Sequence, residues 1–229
     1  SGDVAWLGLA GAGFTDLANR LEQQLGFKHT KVSSDSITTV EGALGGGDGT
    51  VVLIGTGSFI ESRHSGNNRH IGGWGYQLGD ECGGAWLGRK LLQTVLYVHD
   101  GLLPPSDLTR AVFERFSRTP NRIVRFAQKA TPGEMAGFAP EIAKGYEKGD
   151  PVAREIMSAS VRLLCERLDA VDALSAPPLY LVGGLAGVYL PLLPERYKQL
   201  YQPAKGDALA GALSLARKRF VSDRKEAAL

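Results

Sequence analysis

The sequence is poor in cysteine and has no long hydrophobic run. Its two cysteines, Cys82 and Cys165, lie in different contexts and lack metal-ligand spacing. We therefore assign no residue as a metal ligand. No apolar stretch approaches the length that crosses a bilayer, and no signal peptide opens the chain, so we expect a cytoplasmic protein.

The sequence also has little net charge. Lys and Arg number 26 against 24 Asp and Glu, which leaves a formal net charge of +2. This balance gives no electrostatic reason to expect binding to nucleic acid or to a membrane. Hydrophobic residues make up 43% of the 229 residues, enough for a globular protein with a sizeable core. We expect a small-molecule partner, with a homodimer left open.

Glycine is abundant, with 30 in the chain, and it concentrates between Thr50 and Arg89. The apolar run from Val51 to Ile54 predicts a buried strand, and Gly55-Thr56-Gly57-Ser58 then predicts a tight hairpin turn. Such a turn presents backbone N–H groups and hydroxyls in a concavity that suits phosphate oxygens. The predicted phosphate-binding residues are Thr56, Gly57 and Ser58.

A second hairpin follows at Ser65–Asn68 and leads through Gly73 to Trp74 and Asp80, just before a predicted helix near Ala85. A flat indole face and a carboxylate on glycine-rich backbone suit a polyhydroxylated ligand. A glycine-rich hairpin alone is weak evidence, since most such turns are only turns. The combination within forty residues indicates a phosphate site beside a sugar site.

The first fifty residues alternate strand and helix, which is typical of an α/β layer. Strands are predicted at 4–9 and 28–34, with helices at 16–25 and 36–44. Asp35 follows the second strand, where α/β sheets present ligand-binding residues. Its alternative role is that of a helix N-cap. The glycine-rich run at 45–49 predicts a domain boundary, which divides the chain into 1–48 and 49–229.

The remainder predicts a helical region and one further strand. Helices are expected at 85–99, 106–116, 121–129, 132–146 with a break at Pro140, and 150–174. A buried strand from Leu179 to Val182 runs into Gly183-Gly184-Leu185. A last helix, at about 206–221, is expected to pack back on the first domain.

Three segments of this sequence resemble the N-acetylglucosamine kinase and glucosamine kinase family of the sugar kinase/actin-like ATPase superfamily. They read VVLIGTGS, GGWGYQLGDECGGAWLGR and PLYLVGGLA, in that order, and the likeness runs from Leu7 to the GALSLA segment at Gly211. The resemblance implies an α/β, two-domain actin-like ATPase (ribonuclease H-like) fold, with the first domain incomplete in this chain. It also implies phosphorylation of an amino sugar with ATP and Mg²⁺.

The resemblance also assigns roles to residues. Asp35, in Ser34-Asp35-Ser36, is the implied catalytic base. The implied sugar contacts are Gly73, Trp74 and Asp80, and the implied adenosine contacts are Gly183, Gly184 and Leu185. The favoured substrate is N-acetylglucosamine, phosphorylated to its 6-phosphate. Glucosamine, or a non-catalytic ATPase or sugar-sensing module on the same fold, is the alternative.

The sequence departs from the family pattern in two places. Phe59 stands where the animal N-acetylglucosamine kinases have Asn after GTGS, so the acyl preference stays open. In the family, an opening D-G-G-G-T hairpin binds phosphate and positions Mg²⁺, and no such hairpin occurs in this sequence.

We therefore expect residues 1–229 to be inactive alone, and to gain activity and a higher melting temperature when an upstream segment bearing that hairpin is added. ADP release in the presence of amino sugars measures the kinase activity. Strong activity of residues 1–229 alone would contradict the expectation.

Overall fold

The computed structural model describes residues 4–9, 11–12, 16–27 and 29–220. Strands and helices alternate in the first part, three strands joined by two hairpins follow, and helices dominate the second half. The strands are β1 (Val4–Leu9), β2 (His29–Ser34), β3 (Gly49–Ile54), β4 (Ser58–His64), β5 (Asn67–Gly72) and β6 (Leu179–Val182). The helices are α1 (Leu17–Gln24), α2 (Asp35–Leu44), α3 (Gly84–His99), α4 (Asp107–Arg115), α5 (Pro120–Lys129), α6 (Pro132–Ala136), α7 (Ala139–Glu147), α8 (Pro151–Ala170), α9 (Ala186–Tyr189), α10 (Glu195–Lys198) and α11 (Ala208–Phe220).

The described strands form two sheets. In the smaller one, β1 and β2 pair in parallel, from Val4 opposite His29 to Leu9 opposite Ser34. The larger sheet has the order β5-β4-β3-β6, in which β3 is antiparallel to β4 and parallel to β6. The predicted strands and both predicted hairpins are confirmed within the described residues; Lys28, the predicted first residue of the second strand, lies outside them.

Local capping signals explain where the helices begin. The Asp150 carboxylate accepts the N–H groups of Val152 and Ala153 at the start of α8, and Pro151 occupies its first turn. The predicted helix over 132–146 is two helices, and the predicted break is confirmed: it falls between Ala136 and Ala139, and Pro140 lies in the first turn of α7, where no donor is needed. The helix predicted to 174 ends at Ala170, and Asp172 adopts a left-handed φ of 53°.

Both faces of the larger sheet are buried at β3, whose side chains point alternately to opposite sides. Val52 and Ile54 join the main core with α3 and the helices after it. Val51 packs on the other face, where α2 contributes Val40 and Leu44 to a smaller cluster. The end of β3 therefore lies between α3 on one face and α2 on the other.

Helix α11 packs against α2 and β1, and its approach to α2 is very close. A Cβ atom on Gly211 would lie 1.9 Å from the Thr38 carbonyl oxygen, and one on Gly42 would lie 1.9 Å from the Asp207 carbonyl oxygen. Only glycine allows the two helices to approach this closely. None of the helices within the described residues is long and apolar enough to cross a membrane.

A buried carboxylate joins three of these elements. Glu41 of α2 is 3% exposed and contacts Lys218 Nζ of α11 at 2.6 Å and Arg63 Nη1 of β4 at 3.4 Å. Ser214 donates a further hydrogen bond at 2.7 Å. Burial raises the pKa of Glu41, but the hydrogen bonds and charges of these partners outweigh it and hold the pKa below its usual value of 4.5. Glu41 is therefore ionised at neutral pH.

We expect Glu41→Gln to lower the free energy of unfolding at pH 7 by about 2 kcal/mol, because charge-assisted hydrogen bonds are lost at a buried position. Because the folded pKa is depressed, this contribution is present above pH 4.5 and is lost as the pH falls through the lowered pKa. Urea unfolding at several pH values measures the difference, which shrinks in acid. The control is Glu114→Gln, which removes an exposed pair with Arg118 and leaves the curve unchanged. Equal stability of Glu41→Gln and the wild type at pH 7 would contradict this account.

Candidate active site

A cleft of about 730 Å³ opens where β3 ends. This volume lies in the range of small-molecule sites. All of the predicted catalytic, phosphate-binding and sugar-binding residues line it, namely Asp35, Thr56, Gly57, Ser58, Gly73, Trp74 and Asp80. Gly11, Leu53, Phe59, Gly75, Tyr76 and Pro132 complete the lining. Residues that are far apart in the sequence therefore meet at the carboxyl end of a strand, where α/β sheets hold their ligands.

The predicted phosphate turn is oriented by helix α3. The N–H of Gly84 donates to the Gly55 carbonyl at 2.8 Å, and the N–H of Ala85 donates to the Thr56 carbonyl at 2.9 Å. In a trans peptide the N–H points opposite to the carbonyl. The N–H groups of Thr56 and Gly57 share those two peptides, so they point away from α3. The turn thus offers two successive N–H donors, an arrangement that suits an anion.

Two glycines that sequence reasoning missed make this contact possible. A Cβ atom on Gly83 would lie 2.7 Å from the Gly57 carbonyl carbon, and one on Gly84 would lie 2.9 Å from the Ala136 Cβ. Real Cβ atoms do not approach backbone this closely, so any side chain at Gly83 displaces the turn. The only signal in the sequence was a glycine pair directly before a helix. This pair indicates a close backbone contact only when its partner, the Gly55–Gly57 turn, is known.

Ser58 joins the phosphate turn to the segment that carries Asp80. Its hydroxyl donates a short hydrogen bond to the Glu81 carbonyl. The Asp80 carboxylate accepts the N–H of Gly75 at 3.3 Å and lies against Gly57, whose Cβ position is 2.3 Å from Asp80 Oδ2. The hydroxyl of Ser58 is thus engaged within the protein, and its phosphate contact stays a prediction.

Asp80 is held in an unusual environment. Its φ of 55° and the φ of 75° at Cys82 are left-handed, which is uncommon for residues other than glycine. Burial raises the pKa of Asp80 above its usual range, against the backbone N–H groups of Gly75 and Ser58, which lower it. Strained backbone and a perturbed carboxylate in a cleft are typical of functional sites.

Trp74 lies at the rim of the cleft with 69% of its surface exposed. The preceding Gly73 donates its N–H to the Ser58 carbonyl at 3.0 Å, which fixes the start of the segment on β4. Phe59 is only 8% exposed and stacks on His70 with ring centroids 5.5 Å apart. The ring of Phe59 therefore belongs mainly to the core beside the cleft.

Asp35 lies in the first turn of α2 and faces the cleft. The alternative role considered for it, that of the N-cap, is wrong: Ser34 is the cap and its side chain accepts the N–H of Ser36 at 3.3 Å. The Ser34 hydroxyl also donates to Asp35 Oδ1 at 3.2 Å. The carboxylate of Asp35 is thus not needed to begin the helix, and it is available at the cleft.

The predicted adenosine turn lies beside the phosphate turn rather than in the cleft lining. Gly183 has a φ of 99°, and a Cβ atom there would lie 2.5 Å from the Ile54 carbonyl oxygen. The N–H of Leu185 donates to that same carbonyl at 3.0 Å. Gly183, Gly184 and Leu185 therefore follow β6 at the same end of the sheet as the Gly55–Gly57 turn.

The cleft lining carries two carboxylates, Asp35 and Asp80, and no cationic side chain among the described residues. Nearby carboxylates outside the lining are paired, Glu81 with Arg167 at 2.8 Å and Glu61 with His70 at 2.9 Å. No group of three or more His, Cys, Asp or Glu that suits a metal ion occurs in the described ranges.

Comparison with known proteins identifies what this chain is similar to. Residues 2–211 match the BadF/BadG/BcrA/BcrD ATPase family. The glucosamine kinase of Vibrio cholerae is 29% identical over 213 residues, which cover 93% of this chain and 72% of that protein.

Two solved structures resemble most of this chain. A candidate N-acetylglucosamine kinase from Chromobacterium violaceum is 32% identical with a TM-score of 0.82, covering 93% of this chain and 75% of that one. A second, from Porphyromonas gingivalis, is 23% identical with a TM-score of 0.73, covering 95% and 78%. At that identity the second likeness concerns the fold alone. Together they confirm the predicted sugar kinase/actin-like ATPase fold.

We expect Gly83→Ala to weaken nucleotide binding at least tenfold, because the added Cβ displaces the backbone of the phosphate turn. The matched control is Gly187→Ala, since a Cβ at that helical position meets nothing within 4 Å. Calorimetric titration with ATP measures both variants, and circular dichroism shows whether each is folded. Wild-type ATP affinity in a folded Gly83→Ala protein would contradict the assignment of this turn.

Proposed function

The chain belongs to the BadF/BadG/BcrA/BcrD ATPase family, and we propose that it transfers the terminal phosphate of ATP to a hydroxyl of an amino sugar. One observation carries this proposal: a single cleft brings together the Asp35 carboxylate, the Thr56–Gly57 turn and the Trp74–Asp80 segment. Phosphoryl transfer requires phosphate donors, an oriented acceptor hydroxyl and a group that accepts its proton. The three parts of the cleft match these three requirements.

In this proposal the Thr56–Gly57 turn binds the phosphates of ATP. The N–H groups of Thr56 and Gly57 point away from α3, and the Thr56 side chain is exposed at the cleft. Hydrogen-bond donors fixed before the reaction stabilise charge on a transferring phosphoryl group without reorganisation. The adenosine is proposed to lie against Gly183, Gly184 and Leu185, which adjoin the turn through the Ile54 carbonyl.

Mg²⁺ is proposed to enter the cleft with ATP. The ion usually binds proteins through one or two carboxylates together with substrate phosphates. Both cleft carboxylates, Asp35 and Asp80, are assigned to the sugar in this proposal, so the phosphates of the nucleotide would hold the ion. When bound, the ion neutralises part of the triphosphate charge. ATP as the phosphoryl donor also favours a cytoplasmic location for the reaction.

Asp35 is proposed to accept the proton of the attacking sugar hydroxyl. Its side chain lies in the first turn of α2 and faces the cleft. A carboxylate that faces the cleft and does not cap the helix is suited to this role. General-base assistance of this kind is typically worth about 10²- to 10⁴-fold in rate.

The sugar is proposed to lie between Trp74 and Asp80. The Asp80 carboxylate can accept hydrogen bonds from paired hydroxyls, and the exposed indole offers an apolar face to ring C–H groups. Relatives named for glucosamine and for N-acetylglucosamine both support an amino sugar. We propose N-acetylglucosamine, phosphorylated at its 6-hydroxyl, with glucosamine as the alternative.

Sugar-dependent ADP release from ATP tests the proposal. The assay uses the protein as its gene encodes it, with N-acetylglucosamine, glucosamine, N-acetylmannosamine and glucose compared at equal concentration. We expect turnover with one of the first two sugars and a 6-phosphate product by NMR. Sugar and ATP binding without turnover would instead support a non-catalytic sensing module, and no response to any amino sugar would overturn the proposal.

We expect Asp35→Asn to reduce turnover by about 10²- to 10⁴-fold while sugar and ATP affinities change little. The amide keeps the shape of the side chain, and Ser34 continues to cap α2. The control is Asp48→Asn, which alters a loop carboxylate outside the cleft that accepts the Ser65 N–H. Calorimetry gives the affinities and ADP release gives the rate. Full turnover with weakened sugar binding would make Asp35 a binding residue.

A further inference from the structure

A short strained loop carries Asp80, and the structure shows what holds it. We call residues 80–83 the Asp80 loop. Asp80 and Cys82 both have left-handed φ angles, and neither is glycine. Backbone in this conformation persists only where surrounding contacts fix it. The contacts that fix this loop therefore decide where the Asp80 carboxylate lies.

Three of these contacts are neutral. The Ser58 hydroxyl donates to the Glu81 carbonyl, and the Tyr189 hydroxyl donates to the Cys82 carbonyl at 2.7 Å. The Cys82 thiol donates to the Ser160 carbonyl at 3.2 Å, and burial raises its pKa to about 11, so it remains a thiol. These bonds fasten the loop backbone to the core and to β4.

The fourth contact is an ion pair with helix α8. The Glu81 carboxylate meets Arg167 Nη2 at 2.8 Å, and the two side chains are only 29% and 23% exposed. The guanidinium also donates to the Leu163 carbonyl at 3.4 Å, which fixes it on the surface of α8. Partly shielded pairs are screened less by salt and water than exposed ones. The ion pair between Arg196 and Asp169, whose side chains are 52% and 51% exposed, provides an exposed pair for comparison.

Glu81 connects this ion pair to the cleft. It is bonded directly to Asp80, and its carbonyl accepts the hydroxyl of Ser58, which begins β4 after the phosphate turn. Neither Glu81 nor Arg167 is among the residues that line the cleft. A displacement of Glu81 moves Asp80, whereas the phosphate turn, besides its contacts with the loop, is held by two hydrogen bonds from α3.

We propose that Arg167 is a positioning residue for sugar binding: through Glu81 it holds the Asp80 loop so that the Asp80 carboxylate faces the cleft. This inference rests on the proposed function, in which Asp80 binds the sugar. It predicts a specific asymmetry. Loss of the ion pair impairs sugar binding more than nucleotide binding, because the sugar-binding carboxylate lies on the loop itself, whereas the phosphate turn is also held by the N–H groups of Gly84 and Ala85 of α3.

The experiment compares Arg167→Met, Glu81→Gln and the double variant with the control Arg196→Met. We expect KM for the sugar to rise about tenfold or more in both single variants, since small displacements of binding groups are costly. KM for ATP should stay within about twofold, and the double variant should resemble the singles because both remove one interaction. Arg167→Lys, which keeps the charge, should recover part of the sugar affinity. Arg196→Met should match the wild type.

Hydrogen exchange gives a readout that needs no turnover. The N–H of Gly83 donates to the Asp80 carbonyl at 3.0 Å within the loop, and the N–H of Gly84 bonds the phosphate turn. We expect Arg167→Met to accelerate exchange at Gly83 and Gly75 without changing exchange at Gly84. Hydrogen exchange tests whether Arg167 holds the Asp80 loop even if the protein phosphorylates no sugar. Failure of the inference can therefore be distinguished from failure of the proposed function.

Two results would overturn the inference. The first is unchanged exchange at Gly83 and Gly75 in a folded Arg167→Met protein, which would show that the neutral contacts suffice to hold the loop. The second is a lower melting temperature with unchanged KM for the sugar in an active enzyme, which would assign the ion pair to the attachment of α8 alone. Equal loss of sugar and ATP affinity would also contradict it, because the predicted asymmetry would be missing.

Discussion

The two hydrogen bonds from the first turn of α3 to the carbonyls of Gly55 and Thr56 set the geometry on which the site depends. They occupy the carbonyl oxygens of Gly55 and Thr56, so the N–H groups of Thr56 and Gly57 point away from α3. They also occupy the helix N-terminus, so the anion site lies on the turn itself. Gly83 permits this approach because a side chain there would meet the backbone of Gly57. Since α3 is anchored in the main core, the donors are fixed before any ligand binds.

The other half of the site is fixed by the opposite face of the same sheet. Helix α2 packs on β3 and begins with Asp35, so the proposed base and the phosphate turn reach the cleft from elements on either side of one strand. Glu41 ties α2 to β4 and α11 by charge, and glycine contacts allow α11 to lie close to α2. Packing that stabilises the fold therefore also sets the distance across the site.

Local sequence signals predicted much of this arrangement. The apolar run before GTGS predicted β3, and Asp150-Pro151 predicted the start of α8, because both depend on neighbouring residues alone. The cap of α2 was misassigned because Ser34 and Asp35 are equally good caps, and only the backbone distinguishes them. Gly83, Tyr189 and Arg167 were beyond prediction, since their partners are long-range contacts that periodicity does not encode. The resemblance to sugar kinases supplied the roles, which spacing alone left open.

A crystal structure of the protein with N-acetylglucosamine or glucosamine and a non-hydrolysable ATP analogue tests the central claim most directly. The account predicts phosphate oxygens within hydrogen-bond distance of the N–H groups of Thr56 and Gly57. It also predicts a sugar ring against Trp74 and Asp80, with the acceptor hydroxyl beside the Asp35 carboxylate. Phosphates bound away from this turn, or a sugar whose hydroxyls all lie far from Asp35, would contradict it.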